Sequence, residues 1–388
     1  CEYQFLVALV GQGSLGLGSN YSCLPETLPR CFSSRHSKES AYFCRDFFDP
    51  DISHKYIMGL NVYAQNLLHK IDCIDGLVDE NLSASTLYDL PVLGLDQLPS
   101  DALVLVVSGG RPLTAARKLQ SLGIRYLDYF SFYREMSLDL DLIDIVFNEQ
   151  FSNLYDLHYS RFQKVYSLLD DDESRLQFLK LVAFRYALDV DYLDGFSDRF
   201  DSQYFEPFVL SRSDNKSFVD VGCFDGITSL RFAELCPDYR AIYAFEPDPE
   251  NFAICLSSLG HLRDVVTLPY ALSDVAGRFA FCSDGSRSSF GGPTEGLNVS
   301  TERLDAFQID SPGLIKFDIE GGELKALEGA RSIIQAHTPC LAVAAYHSSL
   351  SFVEIPELVL SICANYQVFL RHYGECIYET VLYFVPKG

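Results

Sequence analysis

The chain has 388 residues, of which 48% are hydrophobic and 21% charged, with a formal net charge of −23. That profile is globular and long enough for two or three domains. The negative balance excludes nucleic-acid backbones and anionic membranes as natural partners, and no apolar run approaches the roughly 18 residues that span a bilayer.

Residues 1–49 show no clear periodicity and read as a poorly defined N-terminal segment. Phe5 to Val10 is apolar, but Glu2 precedes it and no basic residue does, so it is a poor signal peptide. The chain starts at Cys1 and its first methionine is Met58, which reads as a fragment or a trimmed product. Gly11-Gln12-Gly13-Ser14-Leu15-Gly16 imitates a dinucleotide loop, yet Leu17-Gly18-Ser19-Asn20 is a poor helix opening, so the run reads as chance.

An α/β alternation fills residues 50–133. Strands are expected at Tyr56-Ile57-Met58, around Ile74 to Val78, at Pro91-Val92-Leu93, from Ala102 to Val107 and from Ile124 to Tyr126. Helices are expected from Asn61 to Lys70 and from Pro112 to Leu122, the latter with proline near its start. This is a small doubly wound, Rossmann-like domain. Its first turn, Gly59-Leu60-Asn61, lacks phosphate-cradling glycines and reads as packing, with a sugar or nucleotide site as the alternative. Residues 134–205 place apolar and aromatic side chains at helical spacing and read as a helical connector. Within it, Asp170-Asp171-Asp172-Glu173 is expected to be a solvated helix start rather than a metal site.

The final stretch, residues 206–388, alternates cleanly. Strands are expected near 217–221, 241–245, 265–269, 314–318, 340–346, 366–371 and 379–385, with a further one from Gly277 to Phe281. Helices are expected near 227–236, 249–259, 322–335 and 351–364. Only Tyr373-Gly374-Glu375-Cys376 separates the last two strands, which predicts an antiparallel pair closing a mainly parallel seven-stranded sheet.

Chemistry concentrates at the ends of these strands. Phe218-Val219-Asp220-Val221-Gly222-Cys223-Phe224-Asp225-Gly226 is an apolar run ending in a glycine turn that opens a helix. A dinucleotide loop needs G-x-G-x-x-G so that backbone N–H groups can approach a pyrophosphate. Here the glycines are Gly222 and Gly226, and the turn carries Asp220 and Asp225, which would repel phosphate. Acidic groups suit S-adenosyl-L-methionine, which carries a sulfonium and an ammonium. Gly222 is read as letting the backbone pass close to that ligand, so that a side chain there should block binding but leave the fold intact. Glu246, twenty residues past Gly226 and followed by Pro247, sits where an acid accepts hydrogen bonds from ribose hydroxyls. Cys223 lies in the same turn. Ser273 and Asp274, after the third strand, are candidates for the adenine edge, with an ordinary turn at Leu272-Ser273-Asp274 as the alternative.

Asp318 ends the strand Leu314 to Phe317, and Glu320 and Gly321-Gly322 follow it. Helix capping is the competing role for both acids. His347 follows the strand Cys340 to Tyr346 and should open onto the same crevice. A hydroxyl acceptor must lose its proton, which a base of near-neutral pKa serves best, so His347 is the first candidate and Asp318 the second. Arg371 and His372 either orient an anionic or sugar substrate or form a salt-bridged edge. Asp318, Glu320 and His347 are oxygen-rich enough for Mg²⁺, but no tight ligand spacing demands a metal, and none is assigned.

These motifs resemble the FkbM family of S-adenosylmethionine-dependent methyltransferases. The resemblance rests on Phe218 to Gly226, Phe245 to Asp248, the block from Leu314 to Glu323, Leu327-Glu328-Gly329-Ala330, Arg371-His372-Tyr373 and the run Glu379 to Tyr383. It covers about 180 residues. The family implies a Rossmann-like methyltransferase fold and O-methylation of hydroxyls on sugars, polyketides and related molecules. The expected protein is therefore an O-methyltransferase acting on a sugar, a glycan precursor or a related small metabolite. Two alternatives stand beside it: a methyltransferase-like binding protein without catalysis, and an NAD-dependent sugar-nucleotide oxidoreductase. The twelve cysteines are scattered without a C-x-x-C pair, which suits buried thiols in a reducing, cytoplasmic setting. A homo-oligomer is compatible with all of this.

Overall fold

The computed structural model describes residues 24–34, 36–80, 82, 84–136, 150–212, 215–284, 287–290 and 297–388. The Phe5–Val10 run and the Gly11–Gly16 run lie outside the described residues. The chain divides into two compact units. One is built from the chain up to Tyr159 with Phe178–Asp198 and Gly374–Tyr378; the other is built from Ser160–Gln177, Arg199–Tyr373 and Glu379–Gly388. The stretch expected as one helical connector is thus divided between the two.

The first unit opens with α1 (Ser37–Phe48), then β1 (Lys55–Met58), α2 (Val62–Lys70), β2 (Gly76–Val78), β3 (Thr86–Leu87) and β4 (Leu90–Leu93). It continues through β5 (Leu103–Val106), α3 (Pro112–Ser121), β6 (Arg125–Asp128) and α4 (Tyr129–Met136). The sheet order is β3-β4-β2-β1-β5-β6, parallel throughout except for the β3–β4 hairpin. Its β5 run, Leu103 to Val106, is buried at every position, as a parallel strand covered on both faces must be. The Gly59 turn is a packing device. Gly59 has φ +108°, and a Cβ there would meet the Val107 side chain at 3.2 Å. Asn61 caps α2 by accepting from Ala64 N–H at 3.1 Å and donates to the Val107 carbonyl at 2.6 Å.

Two longer helices follow, α5 (Phe151–Leu168) and α6 (Asp172–Ala187), each contributing residues to both units. The acidic run before α6 is more engaged than a solvated start. Asp171 accepts from Ser174 N–H at 2.7 Å as the helix cap and pairs with Arg371 at 2.6 Å; Asp170 accepts from Val368 N–H at 2.7 Å.

The second unit carries α7 (Pro207–Leu210), β7 (Ser217–Val221), α8 (Ile227–Leu235), β8 (Ile242–Phe245), α9 (Pro249–Leu259) and β9 (Val265–Leu268). Then come β10 (Ala271–Leu272), β11 (Gly277–Asp284), β12 (Arg287–Phe290), β13 (Leu297–Glu302) and β14 (Pro312–Phe317). The chain ends with α10 (Glu323–Gly329), α11 (Arg331–His337), β15 (Cys340–Ala344), α12 (Ser351–Ile362), β16 (Tyr366–His372) and β17 (Thr380–Pro386). The seven-stranded sheet runs β16-β17-β15-β14-β7-β8-β9. Only β17 is antiparallel to its neighbours, as expected from the short final connection. Strands β7, β14 and β15 are buried along their whole lengths. Phe218, Phe232, Ile242, Leu314 and Tyr383 knit them into one core.

Two features differ from the sequence reading. A second sheet, β10-β13-β11-β12, stands beside the first, where only the Gly277 strand was expected. The helix expected near 322–335 is two helices, broken at Ala330 (φ −103°, ψ 6°). The break lies beside a close backbone approach: a Cβ on Gly329 would sit 2.0 Å from the Ser273 carbonyl oxygen.

Candidate active site

The chain leaves β7 toward β8 and β9 on one side and returns through β14 on the other. That reversal opens a crevice at the carboxyl ends of β7 and β14, the usual ligand position in such sheets. A cavity of about 380 Å³ lies there, walled by residues from the ends of β7, β8, β14 and β17 and from the turn before α7.

The first wall is the glycine turn. Gly222 and Gly226 have φ +79° and +85°, and Phe224 is also left-handed at +52°. Gly222 is irreplaceable for a reason the sequence does not show. A Cβ there would lie 2.1 Å from the Asp318 carbonyl oxygen and 2.8 Å from the Ile319 side chain. Its missing side chain makes room for the neighbouring strand end, not only for a ligand, so a substitution there is expected to strain the fold as well as the site. Five amides of this turn are already engaged. Gly222 and Cys223 donate to the Phe245 carbonyl, Phe224 to Glu246, Gly226 to the Cys223 carbonyl and Ile227 to Asp225. A pyrophosphate needs such amides free, so the turn is unsuited to a dinucleotide.

Glu246 is 5% exposed and lies on the pocket wall. One carboxylate oxygen accepts from Phe224 N–H and the other from Asp248 N–H, both at 2.9 Å. Each oxygen keeps a lone pair for a further donor. Burial pushes its pKa up to about 7, against the lowering effect of those two amides. Apolar contact surface comes from Tyr270, Ala271 and Leu272.

Beneath the turn, Asp220 is fully buried. It accepts from Lys316 Nζ at 3.0 Å and from Ser229 Oγ at 2.8 Å, and Lys316 also donates to the Gly222 carbonyl at 2.6 Å. This pair binds β7 to β14 and anchors the turn. Lys316 lies inside the expected strand Leu314 to Phe317 but was not singled out. Burial works against its charge, and the carboxylates of Asp220 and Asp318 outweigh that and raise its pKa.

The opposite wall is acidic. Asp318 accepts from Tyr204 Oη at 2.8 Å and from Tyr346 Oη at 3.2 Å. Burial raises its pKa, but Lys316, His347 and the two phenols prevail and hold it below the ordinary carboxylate value. Glu320 has φ +53°, and with Gly321 (φ +98°) it forms the tight turn anticipated from the Gly-Gly pair. Glu323, buried on α10, closes that turn: its Oε1 accepts from Ile319 N–H at 3.0 Å and Gly321 N–H at 3.3 Å. Glu379 completes the wall and accepts from Gln203 at 2.5 Å. Burial and the nearby Asp318 raise its pKa.

The residues singled out from the sequence therefore separate. Gly222, Cys223, Asp225, Glu246, Pro247, Asp318 and Glu320 line the cavity. Asp220 supports it from below, and the Cys223 thiol turns into the core, 3.2 Å from the Cys255 sulfur. Gly226 is the left-handed cap of α8. Ser273 and Asp274 are outside the lining; the Ser273 hydroxyl donates to Asp274 at 3.0 Å. His347 is outside it too, and its electrostatics differ from those of a near-neutral base. Burial alone would lower its pKa, but the carboxylates of Glu323, Asp318 and Glu320 raise it to about 9. Arg371 and His372 are buried structural residues. Arg371 pairs with Asp171 at 2.6 Å, and His372 Nδ1 lies 2.8 Å from Thr380 Oγ1. Tyr204, Gln203, Tyr346 and Glu379 were not singled out as site residues from the sequence: Tyr346 and Glu379 lay inside recognised runs without a role, and Gln203 and Tyr204 carry no local signal.

Comparison with known proteins fits this geometry. Residues 220–374 match the methyltransferase FkbM domain. The chain is similar to the 2-O-methyltransferase NoeI of Sinorhizobium fredii, 28% identical over 144 residues, which are 30% of this chain and 58% of that protein. It is also similar to the hexuronic acid methyltransferase AglP of Haloferax volcanii, 27% identical over 110 residues, 26% of this chain and 46% of that protein. The chain spans about half the length of the curated relatives it matches. Among solved structures it resembles methyltransferase FkbM from Methylobacillus flagellatus, with a TM-score of 0.72 and 21% identity over 92% of this chain and 95% of that one, a likeness of fold. Over residues 220–374, then, this chain is similar to the methyltransferase FkbM domain.

Proposed function

We propose that this chain binds S-adenosyl-L-methionine and methylates a hydroxyl of a sugar, a glycan precursor or a related small metabolite. The observation that carries the reading is Glu246, a buried carboxylate held by two amides on the wall of a pocket where the turn amides of Gly222, Cys223, Gly226 and Ile227 are also engaged. Such a wall favours a ribose and a cation over a pyrophosphate. The relatives point the same way, one being named for 2-O-methyl transfer and the other for hexuronic acid methylation.

The cofactor supplies an electrophilic methyl group: the acceptor oxygen forms a C–O bond as the C–S bond breaks, its electron pair passing to sulfur. Glu246 accepts the ribose hydroxyls, and Tyr270, Ala271 and Leu272 give the adenine an apolar surface. The carboxylates of Asp225, Asp318, Glu320 and Glu379 make the cavity favourable to a sulfonium and an ammonium. Tyr204 and Tyr346 hold Asp318 in one orientation, and their own pKa values are raised by burial and by Asp318, so both remain donors. The proton leaving the acceptor goes to a carboxylate. Glu379 is the best matched, since it lines the pocket and its proton affinity is raised. His347 then acts as a positioning residue, holding Asp318 and Glu320 rather than taking the proton.

Two measurements test the reading. Calorimetry with S-adenosylhomocysteine and with NAD should show binding of the first alone; tight NAD binding without it would overturn the proposal. A screen with labelled cofactor against sugar nucleotides and small glycans should yield a methylated product, and Glu379→Gln should slow its formation while sparing cofactor affinity.

A further inference from the structure

The Nε2 of His347 is buried without a hydrogen-bond partner, on a side chain only 8% exposed. The other ring nitrogen is fixed: Nδ1 lies 2.9 Å from Glu323 Oε1, the same oxygen that takes the amides of Ile319 and Gly321. A carboxylate at Nδ1 settles that nitrogen as the N–H and leaves Nε2 with a lone pair in the neutral ring. This is the outer support that metal-bound histidines usually have.

Two carboxylate oxygens face Nε2, Glu320 Oε2 at 3.4 Å and Asp318 Oδ1 at 3.7 Å. Those separations are long for hydrogen bonds. Bonds of about 2.1 Å put neighbouring donors roughly 3.0 Å apart at a right angle and about 3.4 Å apart at a tetrahedral one. Glu320 Oε2 thus already stands at a shared-ion spacing from Nε2, and Asp318 Oδ1 needs a small inward movement. Asp318, Glu323 and His347 each offer a ligand atom within 4.8 Å of one another. Asp318 keeps its phenol hydrogen bonds from Tyr204 and Tyr346 on the remaining lone pairs.

We infer that His347 Nε2, Asp318 Oδ1 and Glu320 Oε2 form a binding site for one divalent cation of the Mn²⁺ or Mg²⁺ kind. One imidazole with two carboxylates suits such ions better than a soft, thiolate-seeking metal. Asp318 and Glu320 are both pocket residues, so the ion sits between the imidazole and the cavity, with its remaining positions open toward the acceptor. The sequence reading left the metal out because no tight ligand spacing is present; the three ligands come together only when β14 and β15 lie side by side. The chemical role of the ion rests on the methyl transfer proposed above. The pocket wall is rich in carboxylates, and a cation there supplies positive charge beside the hydroxyl that must lose its proton.

The test uses the full chain after treatment with a chelator. Mn²⁺ is titrated in and free Mn²⁺ is followed by electron paramagnetic resonance; S-adenosylhomocysteine binding is measured separately by calorimetry. The expected result is one Mn²⁺ per chain, competed by Mg²⁺, with His347→Ala and Glu320→Gln each weakening it at least about tenfold. Glu323→Gln, which changes the group at Nδ1 and keeps an amide oxygen to accept from the Ile319 and Gly321 N–H groups, should weaken it by about 10- to 100-fold. Circular dichroism checks each variant, and the partly exposed Glu320 carries the test if His347→Ala does not fold. Binding of S-adenosylhomocysteine without any Mn²⁺ binding overturns the cation site and leaves the proposed function standing. Mn²⁺ binding that responds to these substitutions, without S-adenosylhomocysteine binding, overturns the function and leaves the site. Mn²⁺ binding indifferent to both His347→Ala and Glu320→Gln overturns the site.

Discussion

Replacing Gly222 by alanine adds one methyl group at the most confined point of the turn. The new Cβ would meet the Asp318 carbonyl oxygen at 2.1 Å, on a backbone with φ +79°. To recover an ordinary contact of about 3.5 Å the ends of β7 and β14 must part by more than about 1 Å. That movement strains the Asp318 N–H bond to the Val221 carbonyl at 3.1 Å and the Lys316 bond to the Gly222 carbonyl at 2.6 Å. A left-handed backbone costs a residue with a Cβ about 1–2 kcal/mol, and overpacking about 1–3 kcal/mol. The sum, about 2–5 kcal/mol, is a large share of the roughly 5–15 kcal/mol that holds a domain folded. Urea denaturation measures it by circular dichroism and tyrosine fluorescence, since the chain has no tryptophan. A variant that keeps the wild-type midpoint and loses only cofactor affinity would refute this reasoning and return Gly222 to the role of clearing space for a ligand.

Other perturbations separate the remaining parts of the site. Glu246→Gln should weaken S-adenosylhomocysteine binding about 10- to 100-fold, the loss of about 1.5–3 kcal/mol from hydrogen bonds to a charged acceptor; calorimetry reads it. Because the Glu246 pKa is raised to about 7, wild-type affinity should climb as pH rises through that value, and the Gln variant should lose the climb. Lys316→Met leaves Asp220 charged, fully buried and without its cation, and should cost about 3–5 kcal/mol of stability in urea titrations. In metal-free protein the imidazole of His347 binds its proton more tightly folded than unfolded. Its contribution to stability is thus complete below about pH 6.5 and is lost as pH rises through about 9. Urea midpoints across that window should fall for the wild type and stay flatter for His347→Gln.

The central sheet was legible because β7, β8, β14 and β15 are short apolar runs with turn residues at their ends, a pattern that survives without tertiary information. Glu246 was legible because a carboxylate directly after the second strand has one place to go. Lys316 was not, since a lysine in a strand ordinarily reads as a solvent-facing position; its meaning depends on Asp220 across the β7–β14 register. The position of His347 at a strand end could be read, but its charge state could not, because Glu323 reaches it from α10 and no local pattern joins the two. The four-stranded side sheet escaped because strands as short as Ala271–Leu272 carry no periodicity.

Gly329 offers a remote handle on the pocket. No side chain separates α10 from the turn after β10, and the Ser273 carbonyl would stand 2.0 Å from any Cβ placed there. Ser273 follows Leu272, and Tyr270, Ala271 and Leu272 form the apolar wall of the cavity. A methyl group added at Gly329 therefore pushes that wall through the backbone alone, without altering any residue that a ligand would touch. The Leu327-Glu328-Gly329-Ala330 motif, which has no reactive group in the cavity, is in this sense a spacer that sets the width of the pocket from behind.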